Sequence, residues 1–189
     1  MVVSSFQVPT ISKAVTDMAE ALRGEYGSFG KFCGVVESRR NNEEYMLIET
    51  PSVMVLSEAY GKKPVAEWLM GQMIKLIELG CAGENDIDQV HYVARELASE
   101  IYYCQKNMKI GEVMTFVREF GRYGNLYGKP NYHNAVSGLY EFIKQNAQRK
   151  AQILRKREME SNNNADLAIE CDYAKSAEEH MKKWQASGR

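Results

Sequence analysis

The sequence predicts a single all-α domain of five or six helices with a polar, partly extended C-terminal arm. Three observations predict it. Apolar residues recur at intervals of three and four along most of the chain. Glycine, proline and capping residues punctuate that pattern at helical lengths. With 189 residues, 44% hydrophobic and 26% charged, the chain can bury a self-sufficient core without disulfides or metal.

The first helix follows Pro9-Thr10, with Ile11, Ala14, Val15, Met18, Ala21 and Leu22 as its stripe and Gly24 and Gly27 as its stop. Residues 28–50 carry the weakest pattern. Phe32–Glu37 and Glu44–Glu49, split by Ser38 to Asn42, read either as a hairpin or as loop and short helix, the second being preferred. Thr50-Pro51 reads as an N-cap with proline at the first helical position, opening a helix to about Tyr60. Gly61-Lys-Lys-Pro64 is a turn. Val65, Trp68, Leu69, Met73, Leu76 and Ile77 then share one helical side, stopped by Gly80 and Gly83.

Asp86 with Gln89 forms the pattern of a capping box. The next stripe runs Ile87, Val90, Ala94, Leu97, Ile101 and Cys104, so Cys104 is expected to be packed and inert. Ile110, Val113, Val117 and Phe120 mark a further helix. Residues 121–130 hold glycines 121, 124 and 128 and Pro130, a turn region. A long helix starts near Asn134, with Val136, Leu139, Tyr140 and Ile143 apolar. Ser161-Asn-Asn-Asn164 reads as a break before a final polar helix. The expected organisation is an N-terminal helix and irregular segment over 1–49, a helical core over 50–147, and a basic-then-acidic helical arm over 148–189.

Net charge is −1, yet the charges are segregated. Residues 1–117 hold 11 basic and 16 acidic residues, net −5; residues 118–157 hold 9 against 2, net +7; residues 158–189 hold 4 against 7, net −3. Such asymmetry points to an anionic partner, or to a solvated basic face paired with the acidic tail.

Several function classes find no support. The apolar run Trp68–Ile74 is closed by Glu67 and Lys75, far short of the roughly 20 residues a membrane span needs. The first ten residues lack Lys, Arg and an apolar stretch, so no secretory signal is expected and the protein is expected in the cytoplasm. Cys33, Cys81, Cys104 and Cys171 lie 48, 23 and 67 apart, with no metal or redox spacing. Gly30-Lys31 is followed by Phe32 and has Glu25 where a phosphate loop needs glycine. Asp88 and His91 share a helical face, but no second ligand pair accompanies them. No nucleophile motif is present. No catalytic residue, metal or cofactor is expected.

The residues that do carry a pattern lie in the basic segment. Arg118, Arg122 and Lys129 alternate with Phe120, Tyr123, Tyr127 and Tyr132 around three glycines. Binders of single-stranded nucleic acid combine cations for the backbone with aromatic platforms for the bases. Arg149, Lys150, Arg155, Lys156 and Arg157 extend the positive charge along the following helix. On a helical wheel residues 149, 153, 156 and 157 share a side and 144 and 155 flank it. Helix-anchoring tyrosines and snorkelling arginines are the alternative explanation.

The stretch from Ile110-Gly-Glu-Val to Gly121-Arg-Tyr-Gly-Asn-Leu-Tyr-Gly128, followed by Ser137-Gly-Leu-Tyr-Glu-Phe142, resembles a poorly characterised family of small all-α proteins of bacterial phages and mobile elements. Its pattern is a helix opening near Leu/Ile-x-Glu/Asp, a G-x-Y-G-x-x-Y-G turn, and an amphipathic helix ending in arginine. Pro51–Gly61 and Glu67–Leu79 are similar to upstream helices of that family, so the resemblance spans about residues 50–150. It implies a non-enzymatic arrangement similar to phage replication accessory and helicase-loader proteins. The expected partners are single-stranded DNA or a replicative helicase, with a homo-oligomer formed through the C-terminal arm. The competing expectation is a protein–protein adaptor or structural phage protein that never touches nucleic acid.

Overall fold

A computed structural model describes the backbone of residues 12–80, 86–123 and 131–186, and side chains within these except residues 122–123 and 162–186. Among the described residues the chain is all-α, as expected. It contains seven α-helices: α1 (Lys13–Tyr26), α2 (Phe29–Ser38), α3 (Val53–Tyr60), α4 (Lys62–Gly80), α5 (Ile87–Ser99), α6 (Ile110–Tyr123) and α7 (Tyr132–Ala186). Two π-helical turns, Tyr45–Glu49 and Glu100–Cys104, join them. The count exceeds the expected five or six because residues 28–50, the weakest stretch of the pattern, hold both a true helix and a π turn. Residues Met1–Asn146 form one compact unit and Ala147–Arg189 a second.

In the first unit, α1 ends on Gly27, whose φ of 71° suits glycine and whose N–H reaches the Arg23 carbonyl at 3.0 Å. Its buried side is Val15 and Ala19, with Leu22 and Tyr26 half-buried. Met18 is 50% exposed, so the stripe expected through Ala14, Met18 and Ala21 is out of phase. Ser28 caps α2, its hydroxyl accepting from the Lys31 N–H. Tyr26, Phe29, Phe32, Tyr60 and Trp68 form an aromatic group that joins α1–α4, with neighbouring ring centroids 5.3–6.4 Å apart. The Tyr60 hydroxyl donates to the Leu22 carbonyl at 3.0 Å.

The apolar core therefore reaches below residue 50: Phe32, Val36, Tyr45 and Met46 belong to it along with the α4–α7 residues. Leu76, Val90, Leu97, Ile101, Val113, Val117 and Leu139 are buried together, and Trp68 and Ile143 pack against them. Leu97 is fully buried, so Leu97→Ala is expected to cost about 2–5 kcal/mol in chemical unfolding. A loss below about 0.5 kcal/mol would place that face of α5 in solvent.

Thr50 is not the expected cap. Ser52 caps α3, accepting from the Val55 N–H at 3.4 Å. Thr50 is instead fully buried; its hydroxyl donates to the Met46 carbonyl at 2.8 Å and accepts from the Gly111 N–H at 3.1 Å. The starts of α3 and α6 are further tied by backbone pairing: the N–H groups of Val53, Met54 and Ile110 reach the carbonyls of Met108, Lys106 and Pro51. These bonds satisfy helix-terminal donors that would otherwise be orphaned.

The π turn after α5 corrects another expectation. Val90, Ala94, Leu97 and Ile101 keep the three-four spacing and are buried. The wider turn Glu100–Cys104 then rotates the chain out of phase, so Cys104 is exposed and Met108 takes the next buried place. Ile87, expected at the head of the stripe, is 72% exposed.

Asn131 caps α7, its side-chain oxygen accepting from the N–H groups of His133 and Asn134. The buried stripe is Ala135, Leu139, Phe142 and Asn146. In the second unit the backbone stays helical through residues 161–164, so the expected break is absent. Asparagine in a helix costs no more than about 0.7 kcal/mol relative to alanine, too little to end a continuous hydrogen-bonded ladder.

Candidate nucleic-acid interface

The expected contact residues fall in different places. Arg118 lies on α6 and is half-exposed. One guanidinium nitrogen donates to the Arg40 carbonyl at 3.0 Å, and the other lies 3.9 Å from Glu119. That anchoring places Arg118 in a cleft of about 400 Å³ shared with Arg40 and Lys75. Tyr127 and Lys129 lie outside the described residues, as do the side chains of Arg122 and Tyr123.

Tyr132 opens α7 and packs half-buried against the core. Burial first, then the Glu100 and Glu96 carboxylates, push its phenol above the usual tyrosine range. Its charged neighbours are thus acidic. Tyr140, about two turns further on, donates to Glu100 at 2.5 Å and accepts from Gln105 at 3.4 Å. This start of α7 is an aromatic and acidic surface that does not favour phosphate.

The second unit carries the basic run. Arg149 and Lys150 are half-buried, and Arg155, Lys156 and Arg157 are exposed. Continuous helix puts residues 149 and 156 nearly in line two turns apart, and 150 and 157 likewise on the next row. Four cations therefore occupy a sector of about 120°, while Arg155 points to a different side. Lys156 also lies 3.8 Å from Glu160, an exposed pair of little energetic weight.

Two groups escaped the sequence reading. The first is a buried polar cluster between the π turn Tyr45–Glu49, α6 and the first part of α7. Glu112, 6% exposed, accepts from the Lys109 N–H at 2.8 Å and from the Asn146 side chain at 2.7 Å. The Lys109 ammonium donates to the carbonyls of Ile48 and Thr50. Asn146 completes the four-three-four spacing of Ala135, Leu139 and Phe142, the one signal that places it inside. The second group is Arg40 and Lys75, 35 positions apart in sequence, which no local pattern joins to Arg118.

Among the described residues, no group of three or more His, Cys, Asp or Glu could hold a metal, and no helix is long and apolar enough to cross a membrane. His91 and Asp88 are exposed on α5. No family model, curated protein or solved structure matches the chain.

Proposed function

We propose that this protein is a non-enzymatic accessory of DNA replication in a phage or mobile element, and that it binds single-stranded DNA, a replicative helicase, or both. The observation that carries the reading is the basic sector of α7, with Arg149, Lys150, Lys156 and Arg157 within about 120° of one helix. It is the dense part of a segment with 9 basic and 2 acidic residues. Cations in rows along a helix can follow a phosphate backbone without reading bases. The glycine–tyrosine motif of the sequence, and its likeness to phage proteins, supports the same reading.

The decisive measurement is anisotropy of a labelled single strand titrated with the full chain between 50 and 200 mM salt. Four phosphate contacts give a log–log slope of about −3, since each contributes about −0.7. Absence of salt-sensitive binding near 50 mM would remove nucleic acid from the reading. A helicase pull-down separates a loader from a pure DNA binder.

One observation favours the adaptor reading. Ala66, Met70, Ala98, Tyr102 and Tyr103, with Glu67, Arg95 and Ser99, line an open groove of about 460 Å³ between α4, α5 and the π turn after it, and Tyr103 is 75% exposed. Exposed apolar and aromatic surface of this kind suits a protein partner.

A further inference from the structure

We infer that the cleft between α2, α4 and α6 is a binding site for a nucleotide, holding its phosphate at Arg40, Lys75 and Arg118 and its base on an apolar wall. Lys75 and Leu79 lie one turn apart on α4, and Met114 and Arg118 lie one turn apart on α6. Each of these two packed helices thus offers the cleft a cation with an apolar residue one turn away, and α6 adds Val117. The short segment after α2 adds Arg40, and Met46 of the π turn adds apolar surface.

Cations outnumber carboxylates in the lining of the cleft. Arg40, Lys75 and Arg118 line it with one carboxylate, that of Glu37, and Glu119 lies 3.9 Å from Arg118. Both guanidiniums are held in place by the protein. Arg40 donates through Nη1 to Glu37 at 2.8 Å, and Arg118 donates through Nη1 to the Arg40 carbonyl at 3.0 Å. A guanidinium has five N–H donors, so these bonds orient each fork and leave donors for a ligand. Two guanidinium forks and an ammonium are the kinds of donor that a phosphate takes.

The remaining wall selects the other half of the ligand. Met46, Met114, Val117 and the half-exposed Leu79 are apolar, and thioethers make favourable contacts with aromatic rings. A volume of about 400 Å³ lies within the range of small-molecule sites. A simple anion would leave the apolar wall wet; a nucleoside would bring no anion to the cations.

Calorimetry on the full chain tests the site, with adenosine monophosphate, adenosine and inorganic phosphate as probes. The monophosphate is expected to saturate one site, and each fragment to bind at least about tenfold more weakly. Lys75→Gln is expected to lower its affinity by about tenfold or more, the scale of one charge-assisted hydrogen bond. Lys75 is exposed within α4 and glutamine is an equally good helix former, so this variant keeps the fold. Arg118→Lys, which keeps the charge and loses the fork, is expected to weaken binding as well. No saturable binding of the monophosphate or of a single strand that depends on Lys75 would overturn the site.

A nucleotide within a DNA strand offers the same phosphate and ring. Lys75→Gln weakening the monophosphate alone assigns a free nucleotide; weakening an oligonucleotide as well assigns a strand passing through the cleft, which rests on the function proposed above. Replacing Arg155, Lys156 and Arg157 by glutamine is expected to leave monophosphate binding unchanged. The α7 surface and the cleft can therefore fail independently.

Discussion

Gly111→Ala is expected to destabilise the protein by about 3 kcal/mol or more, at or above the upper end of overpacking effects. In an isolated helix the same change stabilises by about 0.8–1.0 kcal/mol, because alanine loses less backbone entropy. The structure reverses the sign. A Cβ at residue 111 would stand 2.1 Å from the Met46 carbonyl oxygen and 2.7 Å from the Met46 carbonyl carbon and Cα. These are backbone atoms of a buried π turn, so no side-chain rotation relieves the contact. Separation of α6 from that turn would stretch the Gly111 N–H bond to Thr50 and both Lys109 ammonium bonds.

Thermal melting should show the midpoint fall by roughly 6–12 °C for a chain of this size. Gly138 provides the comparison. Its added Cβ would meet the Phe120 ring at 2.0 Å, but that is the far end of a side chain. Gly138→Ala is therefore expected to cost about 1–3 kcal/mol, and much of it should be recovered when Phe120 is also shortened. A Gly111→Ala loss below about 1 kcal/mol would mean that α6 and the π turn are not in this close contact.

The same region shows what a sequence can and cannot carry. Ile110, Val113 and Val117 announce α6 by spacing alone, and they are buried as that spacing requires. The requirement for glycine at 111 is invisible there, because it comes from Met46, 65 positions away. Phase is the second weak point. In α1 the apolar residues Ala14, Met18 and Ala21 compete with Val15, Ala19 and Leu22 for the inner side, and only tertiary packing decides between them. In α5 the pattern holds from Val90 until the π turn adds a residue to one turn, which turns Cys104 outward.

The candidate sites divide in the same way. The α7 cations are legible because they are local, and a continuous helix converts their spacing directly into a face. Tyr132 belongs to the same aromatic series in sequence, yet its charged neighbours are Glu96 and Glu100 from a different helix. Arg40 and Lys75 reach Arg118 only through the packing of α2, α4 and α6. A charged loop residue and a mid-helix lysine carry no sign of that meeting.

If all three make contact, replacing Arg155, Lys156 and Arg157 together by glutamine is expected to flatten the salt dependence of single-strand binding by about two units, since each contact contributes about 0.7. Counterion release then fixes the loss of affinity at each salt concentration: on the order of 500-fold at 50 mM and on the order of 30-fold at 200 mM. That convergence at high salt distinguishes lost phosphate contacts from a folding defect, which would lower binding by one factor throughout. All three side chains are exposed, so the fold is expected to survive. The Lys156–Glu160 pair has side chains 78% and 63% exposed, and its loss should be small.

The angular position of Arg155 sharpens the outcome. It lies away from the sector of Arg149, Lys150, Lys156 and Arg157, so a strand held only on that sector would flatten by about 1.4 units instead of two. Tyr123→Ala or Tyr127→Ala is expected to weaken binding by about 1–3 kcal/mol with the slope unchanged, because stacking releases no counterions. A triple variant whose slope and affinity both match the wild type would remove α7 as the strand-binding surface and give the lead to the aromatic groove and a protein partner.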